Sequence, residues 1–147
     1  AAAAGLACGR EPAPPGDAAA SLPRARVRVG MQMVEVEVAD TAESRARGLS
    51  GRPRLPEGRG MLFVYPRAGR YGFWMPDMHF DLDLVWIRDG RIVEVTPRVP
   101  HDPPGSELPV YRPSQPVDQV LEVPSGTAER HGWEPGHPVV VERSPAA

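Results

Sequence analysis

Leu82-Asp83-Leu84-Val85-Trp86-Ile87-Arg88-Asp89-Gly90-Arg91-Ile92-Val93-Glu94-Val95-Thr96 reads as two strands joined by a turn. Leu82 to Ile87 is an apolar run rich in β-favouring residues. Asp89-Gly90 tolerates the positive φ angles of a two-residue hairpin, and Arg91 to Thr96 resumes the strand pattern. Only Asp83 interrupts the first strand. Its same-face neighbours Val85 and Ile87 are apolar, so burying its carboxylate requires a partner. Arg45, Arg47 and Arg52 lie upstream, and guanidinium suits a carboxylate best. The expectation is a buried ion pair of Asp83 with Arg47 or Arg52, tying the first helix to the sheet.

The strand pattern continues outward. Val27, Val29, Met31 and Met33 alternate with polar residues, and the phase then flips to Val34, Val36 and Val38. A flip near Gly30 to Met33 fits a hairpin or bulge. Asp40 followed by Glu43 resembles a capping box, for a short helix ending at Gly48. Ser50 to Gly60 reads as loop. Met61 to Tyr65, Tyr71 to Met75, Val117 to Val123 and Val139 to Val141 read as further strands, and Ser125 to Gly132 as a second short helix. Pro97 to Pro116 holds seven prolines in 20 residues, a stiff connection too long to be a simple turn. The fold class predicted is mostly β: a jelly-roll-like sandwich or small barrel with two short helices.

The chain has 147 residues, enough for one domain with its own core. The expected organisation is a signal-peptide remnant and Ala/Pro linker over 1–24, a single β-rich domain over 25–143 and a tail over 144–147. No run approaches the length of a membrane-spanning helix. The net charge of −2 argues against a general nucleic-acid binder. All 17 basic residues are Arg, which suits a GC-rich genome, and 19 Pro keep regular elements short. The lone Cys8 excludes an internal disulfide and any zinc site built on several thiolates. Ala7-Cys8, after the small residues Ala1 to Gly5, resembles a bacterial lipoprotein lipobox, in which the cysteine is lipidated and begins the mature chain.

Three groups of residues invite chemistry. In Tyr71-Gly72-Phe73-Trp74-Met75, Phe73 and Met75 face one way and Trp74 the other, so both faces are apolar: either the strand is buried twice or one face lines a pocket. Asp77, His79, Asp81 and Asp83 fall at alternate positions, with His101 and Asp102 in the Pro-rich loop. An extended segment would put the four on one side, but the spacing matches no defined metal site. No phosphate loop, nucleophile elbow or paired His on a helix is present, and Cys8 lies outside the domain.

Glu37-Val38-Ala39-Asp40-Thr41, Arg47-Gly48-Leu49, Gly60-Met61-Leu62-Phe63-Val64, Phe73-Trp74-Met75, Leu82-Asp83, Tyr111, Val120-Leu121-Glu122-Val123 and Gly126 to Gly132 recur in one order and spacing. In these blocks the chain resembles the bacterial and archaeal family called domain of unknown function 192, over about Val34 to Val141. The resemblance implies a compact, jelly-roll-like β domain, often exported or lipid-anchored, with no agreed activity. Asp81 stands where many members have Pro, and Gly105 and Leu108 where many have Cys, so no cysteine or metal role for that loop carries over.

The functional expectation is an extracytoplasmic binding or accessory module, periplasmic or membrane-anchored. Its ligand would be a small molecule, a saccharide or another cell-envelope component. Trp74, Met75, Asp83 and Tyr111 are the candidate ligand-binding residues, with Trp74, Tyr111 and the Pro97 to Pro116 loop bordering a shallow pocket whose aromatic floor suits stacking. The alternative is a small hydrolase or metal-dependent enzyme using Asp83, with His79 or His101 as base. No cofactor, metal or nucleic acid is expected, and membrane contact only through a lipid on Cys8.

Overall fold

The computed structural model describes residues 1–4, 22–105 and 107–143. Cys8, most of the 1–24 linker and the 144–147 tail lie outside the described residues. Among those described, the strands are β1 (Ala2–Ala4), β2 (Arg24–Val29), β3 (Gln32–Ala39), β4 (Arg59–Gly69), β5 (Gly72–Trp74), β6 (Leu82–Arg88), β7 (Arg91–Val99), β8 (Val117–Pro124) and β9 (Val139–Arg143). Two short helices join them, α1 (Ala42–Arg47) and α2 (Thr127–Arg130). Both sequence-predicted hairpins form. Gly30 turns at φ +62° between β2 and β3, and Asp89 and Gly90 turn at +50° and +72° between β6 and β7.

Seven strands make one sheet in the order β7-β6-β8-β4-β3-β2-β9. Neighbours are antiparallel except β3 and β4, which run parallel with Glu35 beside Arg59 and Ala39 beside Phe63. Parallel neighbours need a crossover, and α1 with the loop 48–58 provides it. The two edges approach each other: Arg91 bridges Pro138, and the Ile92 N–H donates to the His137 carbonyl at 2.9 Å. The sheet thus curls into a partly closed barrel, mostly β with two short helices. Pro97 falls in β7, an edge strand, where its missing N–H disrupts least.

The sheet is buried on both sides at its centre. Val27, Val36, Leu62, Val85, Ile87, Leu121 and Val123 fill the barrel interior. Met61, Phe63, Leu84, Trp86 and Val120, which alternate with them, face outward. That outer face is covered by Phe73 of β5 and by Leu49, Met75 and Met78 from the loops. Double burial explains why Met61–Phe63 and Leu84–Ile87 read as unbroken apolar runs. Trp86, fully buried, donates its indole N–H to Thr96 Oγ1 at 2.8 Å.

Both helix caps differ from the sequence reading. Thr41, not Asp40, caps α1: its hydroxyl accepts from the Ser44 N–H, and Ser44 answers as the third residue of the helix. At α2 the cap position is Gly126, which has no side chain to offer. Asp83 supplies the missing acceptor from β6. Its Oδ2 accepts from the Ala128 N–H at 2.9 Å, and its Oδ1 from the Arg98 N–H at 2.9 Å and the Gly126 N–H at 3.2 Å.

Asp83 is therefore fully buried, as expected, but its partners are three backbone amides and not Arg47 or Arg52. The reason is sidedness. Asp83 alternates with the outward Leu82 and Leu84 and points to the interior side, whereas α1 lies on the outer side against β1. Arg52 pairs with Glu37 instead, Arg45 donates to the Val64 carbonyl at 2.9 Å, and Arg47 is exposed. The start of the domain also differs slightly: β2 begins at Arg24, and Ala2–Ala4 pair with β5.

Asp83→Ala strips the shared acceptor from three amides and should cost about 3–5 kcal/mol in urea melts. Asp83→Ala and Arg52→Ala share no partner, so their costs should add to within about 0.5 kcal/mol. A clear coupling between them would restore the ion pair and contradict the capping role.

Candidate functional site

Glu122 lies on β8, beside Met61 of β4 and Leu84 of β6. Its neighbours Leu121 and Val123 face the barrel interior, so its carboxylate points to the outer face, beneath β5 and the loops. There it is fully buried. Oε2 lies 2.9 Å from the amino nitrogen of Ala1, and Met78 Sδ lies 3.3 Å from the same nitrogen. Oε1 has no hydrogen-bond partner among the described residues, nor has the buried Tyr65 hydroxyl. A buried carboxylate oxygen without a donor is costly, so the group resists ionisation. Burial pushes Glu122 up to about 7, with the Ala1 amino group pulling the other way. The amino group is itself lowered by burial, against the attraction of Glu122. Burial likewise holds the Tyr65 hydroxyl above its ordinary range, opposed by Arg45, whose guanidinium carbon is 5.0 Å from the ring centroid.

The space over Glu122 is occupied by Ala1–Ala4, running antiparallel to β5 with Ala2 opposite Trp74 and Ala4 opposite Gly72. The Ala1 carbonyl accepts from the Leu49 N–H at 3.3 Å. Ala1 and Ala2 are buried to 0% and 2% exposure. Gly48 makes this approach feasible. A Cβ there would lie 2.0 Å from the Ala1 carbonyl oxygen, and Gly48 holds φ +51°, which other residues rarely adopt. On the other edge of β5, Phe73 and Tyr111 exchange N–H to carbonyl bonds of 2.8 and 2.7 Å.

The structure brings Trp74, Met75 and Tyr111 to this ribbon in different settings. Phe73 and Met75 are buried and Trp74 is 38% exposed, the alternation expected from sequence. Met75 is core packing, in the same cluster as Ala1 and Leu49, and not part of an open floor. Tyr111 is half-buried on the edge of β5 opposite Ala1–Ala4. Two open grooves lie elsewhere, one lined by Arg24, Arg26, Arg54 and Leu55, the other by Gln32, Thr127 and His131; Trp74 and Tyr111 line neither.

The alternate acids and histidine do not converge. Asp77 turns at φ +52°, so the segment is not extended; its carboxylate lies 3.8 Å from His79. Asp81 accepts from the His101 N–H at 2.9 Å and pairs with its ring, and these bonds hold its carboxyl below the usual range. Asp83 is on the interior side, its oxygens taken by amides. Among the described residues no three His, Cys, Asp or Glu gather as a metal site would require. Asp83 is thus a structural acid, and no Asp83–His pair exists for hydrolysis. It is also closed to any ligand.

Glu122 is the residue that sequence reading missed. Within Val120-Leu121-Glu122-Val123 it reads as the polar face of a half-exposed strand. The signal was Val120, which shares its face and is apolar: β8 has a core on both sides.

The sequence profile of DUF192, described as "Uncharacterized ACR", matches residues 25–141. The chain belongs to this family. No curated protein matches it significantly. Among solved structures, a Sinorhizobium meliloti protein designated a candidate transcription regulator is 30% identical, with a TM-score of 0.74 over 82% of this chain and 95% of that one. A Novosphingobium aromaticivorans protein of unknown function is 25% identical, with a TM-score of 0.71 over 90% of this chain and 99% of its own.

The raised Glu122 carboxyl has a consequence for stability. It binds its proton more tightly folded than unfolded, so its contribution is full below its ordinary value of 4.5 and is lost as pH rises through about 7. That loss amounts to about 3 kcal/mol. Melts of the wild type and Glu122→Gln from pH 4 to pH 8 follow this loss. The wild type should lose stability relative to the variant as pH rises, and a constant difference would contradict the burial of an ionisable Glu122.

Proposed function

We propose that this member of the family is an extracytoplasmic binding module whose ligand site is the pocket over Glu122. What carries the reading is one observation: a fully buried carboxylate whose Oε1 has no donor. A strand core without function would place an apolar residue there, since a buried carboxylate oxygen without a donor costs free energy. A ligand with a proton-donating group restores the missing bond. The apolar walls of Leu49, Met75 and Met78 exclude water and strengthen that bond.

The lipobox resemblance fits this reading. Cleavage before Cys8 removes Ala1–Ala4 and leaves the Glu122 pocket open in the mature, lipid-anchored form. The ligand is then a small molecule or an envelope component bearing an amine or hydroxyl. Trp74, exposed at the rim, offers a face for stacking on a sugar or another flat group.

Propylammonium is the simplest probe. Added to the form beginning at Cys8, it should shift the amide signals of Leu49 and Glu122 in NMR spectra, and Glu122→Gln should weaken it at least about tenfold. The full gene product should fractionate with membranes, and Cys8→Ser should release it. Absence of any shift would overturn the pocket, and a cytoplasmic product would overturn the location.

A further inference from the structure

We propose that the arginine-lined groove on β2 and β3 is a binding site for a phosphate-bearing ligand, separate from the pocket over Glu122. The groove has a volume of about 290 Å³, and residues of β2, β3, the start of β4 and the loop 52–56 line it. Glu122 lines no part of it. Five arginines face two acids there: Arg24, Arg26, Arg52, Arg54 and Arg59 against Glu35 and Glu37. Five positive and two negative charges leave a surplus of three, on a chain whose net charge is −2. A concave site with an excess of one sign focuses the field and draws in ions of the opposite sign.

The strand register decides which cations remain for a ligand. On β2 the interior takes Ala25 and Val27, so Arg24 and Arg26 share the outer face, about 7 Å apart along the strand. Arg24 lies opposite Glu37, and Arg26 opposite Glu35. Neither acid answers them. Glu37 pairs with Arg52, and Glu35 with Arg59 at 3.9 Å. Glu142, on the other side of Arg26, goes to Arg28 at 3.4 Å. Among the described residues Arg24, Arg26 and Arg54 thus have no acidic partner, and all three are exposed. A ladder built only for stability would pair each arginine with the acid opposite it. Here Arg52 and Arg59 occupy the acids and leave the β2 arginines for an anion from outside. Pro53 and Pro56 restrict the backbone on either side of Arg54, so less entropy is lost when it is engaged. Guanidinium presents paired N–H donors that fit two phosphate oxygens. A phosphomonoester carries about −1.5 to −2 charges at neutral pH, which matches the surplus better than one carboxylate does. Leu55 and Pro56 add an apolar wall for the organic part of such a ligand.

Inorganic pyrophosphate is the probe, titrated into the full chain at fixed ionic strength, with acetate as the singly charged comparison. The Nε–H signals of Arg24, Arg26 and Arg54 should shift and saturate in NMR spectra, at least about tenfold more tightly than with acetate. Arg26→Gln with Arg54→Gln should weaken pyrophosphate at least about tenfold and leave the melting temperature unchanged, since both side chains are exposed. Arg47→Gln with Arg67→Gln removes the same charge from exposed positions outside the groove, and should change binding less than about twofold. Phosphatidylglycerol vesicles identify the source of the phosphate. Cosedimentation that pyrophosphate competes away assigns it to a lipid headgroup; pyrophosphate binding without cosedimentation assigns it to a soluble molecule. Shifts that never saturate, or equal weakening by the two pairs of substitutions, would reduce the effect to overall charge and overturn the site. Tighter binding of a mixed-sequence DNA duplex than of pyrophosphate, weakened by the same groove pair, would overturn it in favour of nucleic acid.

Discussion

The structure depends on β8 being buried on both faces. Its interior side chains, Leu121 and Val123, complete the barrel core, and its outward ones, Val120 and Glu122, lie beneath a second layer. Its central residues, Val120 to Val123, have no solvated face. A charged residue at such a position is therefore satisfied by protein, held neutral or reserved for a partner. Two buried carboxylates meet this constraint in opposite ways. Asp83 of β6, in register with Val123, accepts three amides and closes one end of the barrel by capping α2. Glu122, one position away along β8, keeps an oxygen without a donor. The first is architecture; the second is the reason to place function here.

The outer layer that covers Glu122 is thin. β5 is only three residues long and is held to the domain through Phe73, which packs edge-on to Phe63 and Trp86 at ring-centroid distances of 4.9 and 5.5 Å. Backbone bonds to Tyr111 hold one edge of β5, and the other edge pairs with Ala2–Ala4. Gly48, ending α1, lets the Ala1 backbone come close. The crossover between β3 and β4 thus serves twice: it connects parallel strands and carries Leu49 into the covering cluster.

Much of the fold was legible because strand periodicity and turn chemistry are local. Asp89-Gly90 signalled one hairpin, the phase flip near Gly30 a hairpin or bulge, and the apolar run around Asp83 a strand. That Asp83 would be buried followed from its apolar neighbours. Its partners did not, because backbone amides leave no trace in the sequence, and the arginines upstream were the only visible donors. The cap of α1 moved by one residue because Thr41 and Ser44 form the same reciprocal bonds as the expected Asp40 and Glu43. The alternate acids of Asp77 to Asp83 lost their common side to the turn at Asp77. Glu122 stayed hidden because a single Glu among valines looks like a solvated strand face until the covering layer is known.

The state of the Glu122 carboxyl is the most direct measure of this site. Carbon-13 labelling of glutamate allows its side-chain carboxyl to be titrated by NMR in the folded protein. The midpoint should lie near 7, because burial disfavours the ionised form. A midpoint at the ordinary 4.5 would mean that Glu122 is solvated and that the space over it is not a binding site.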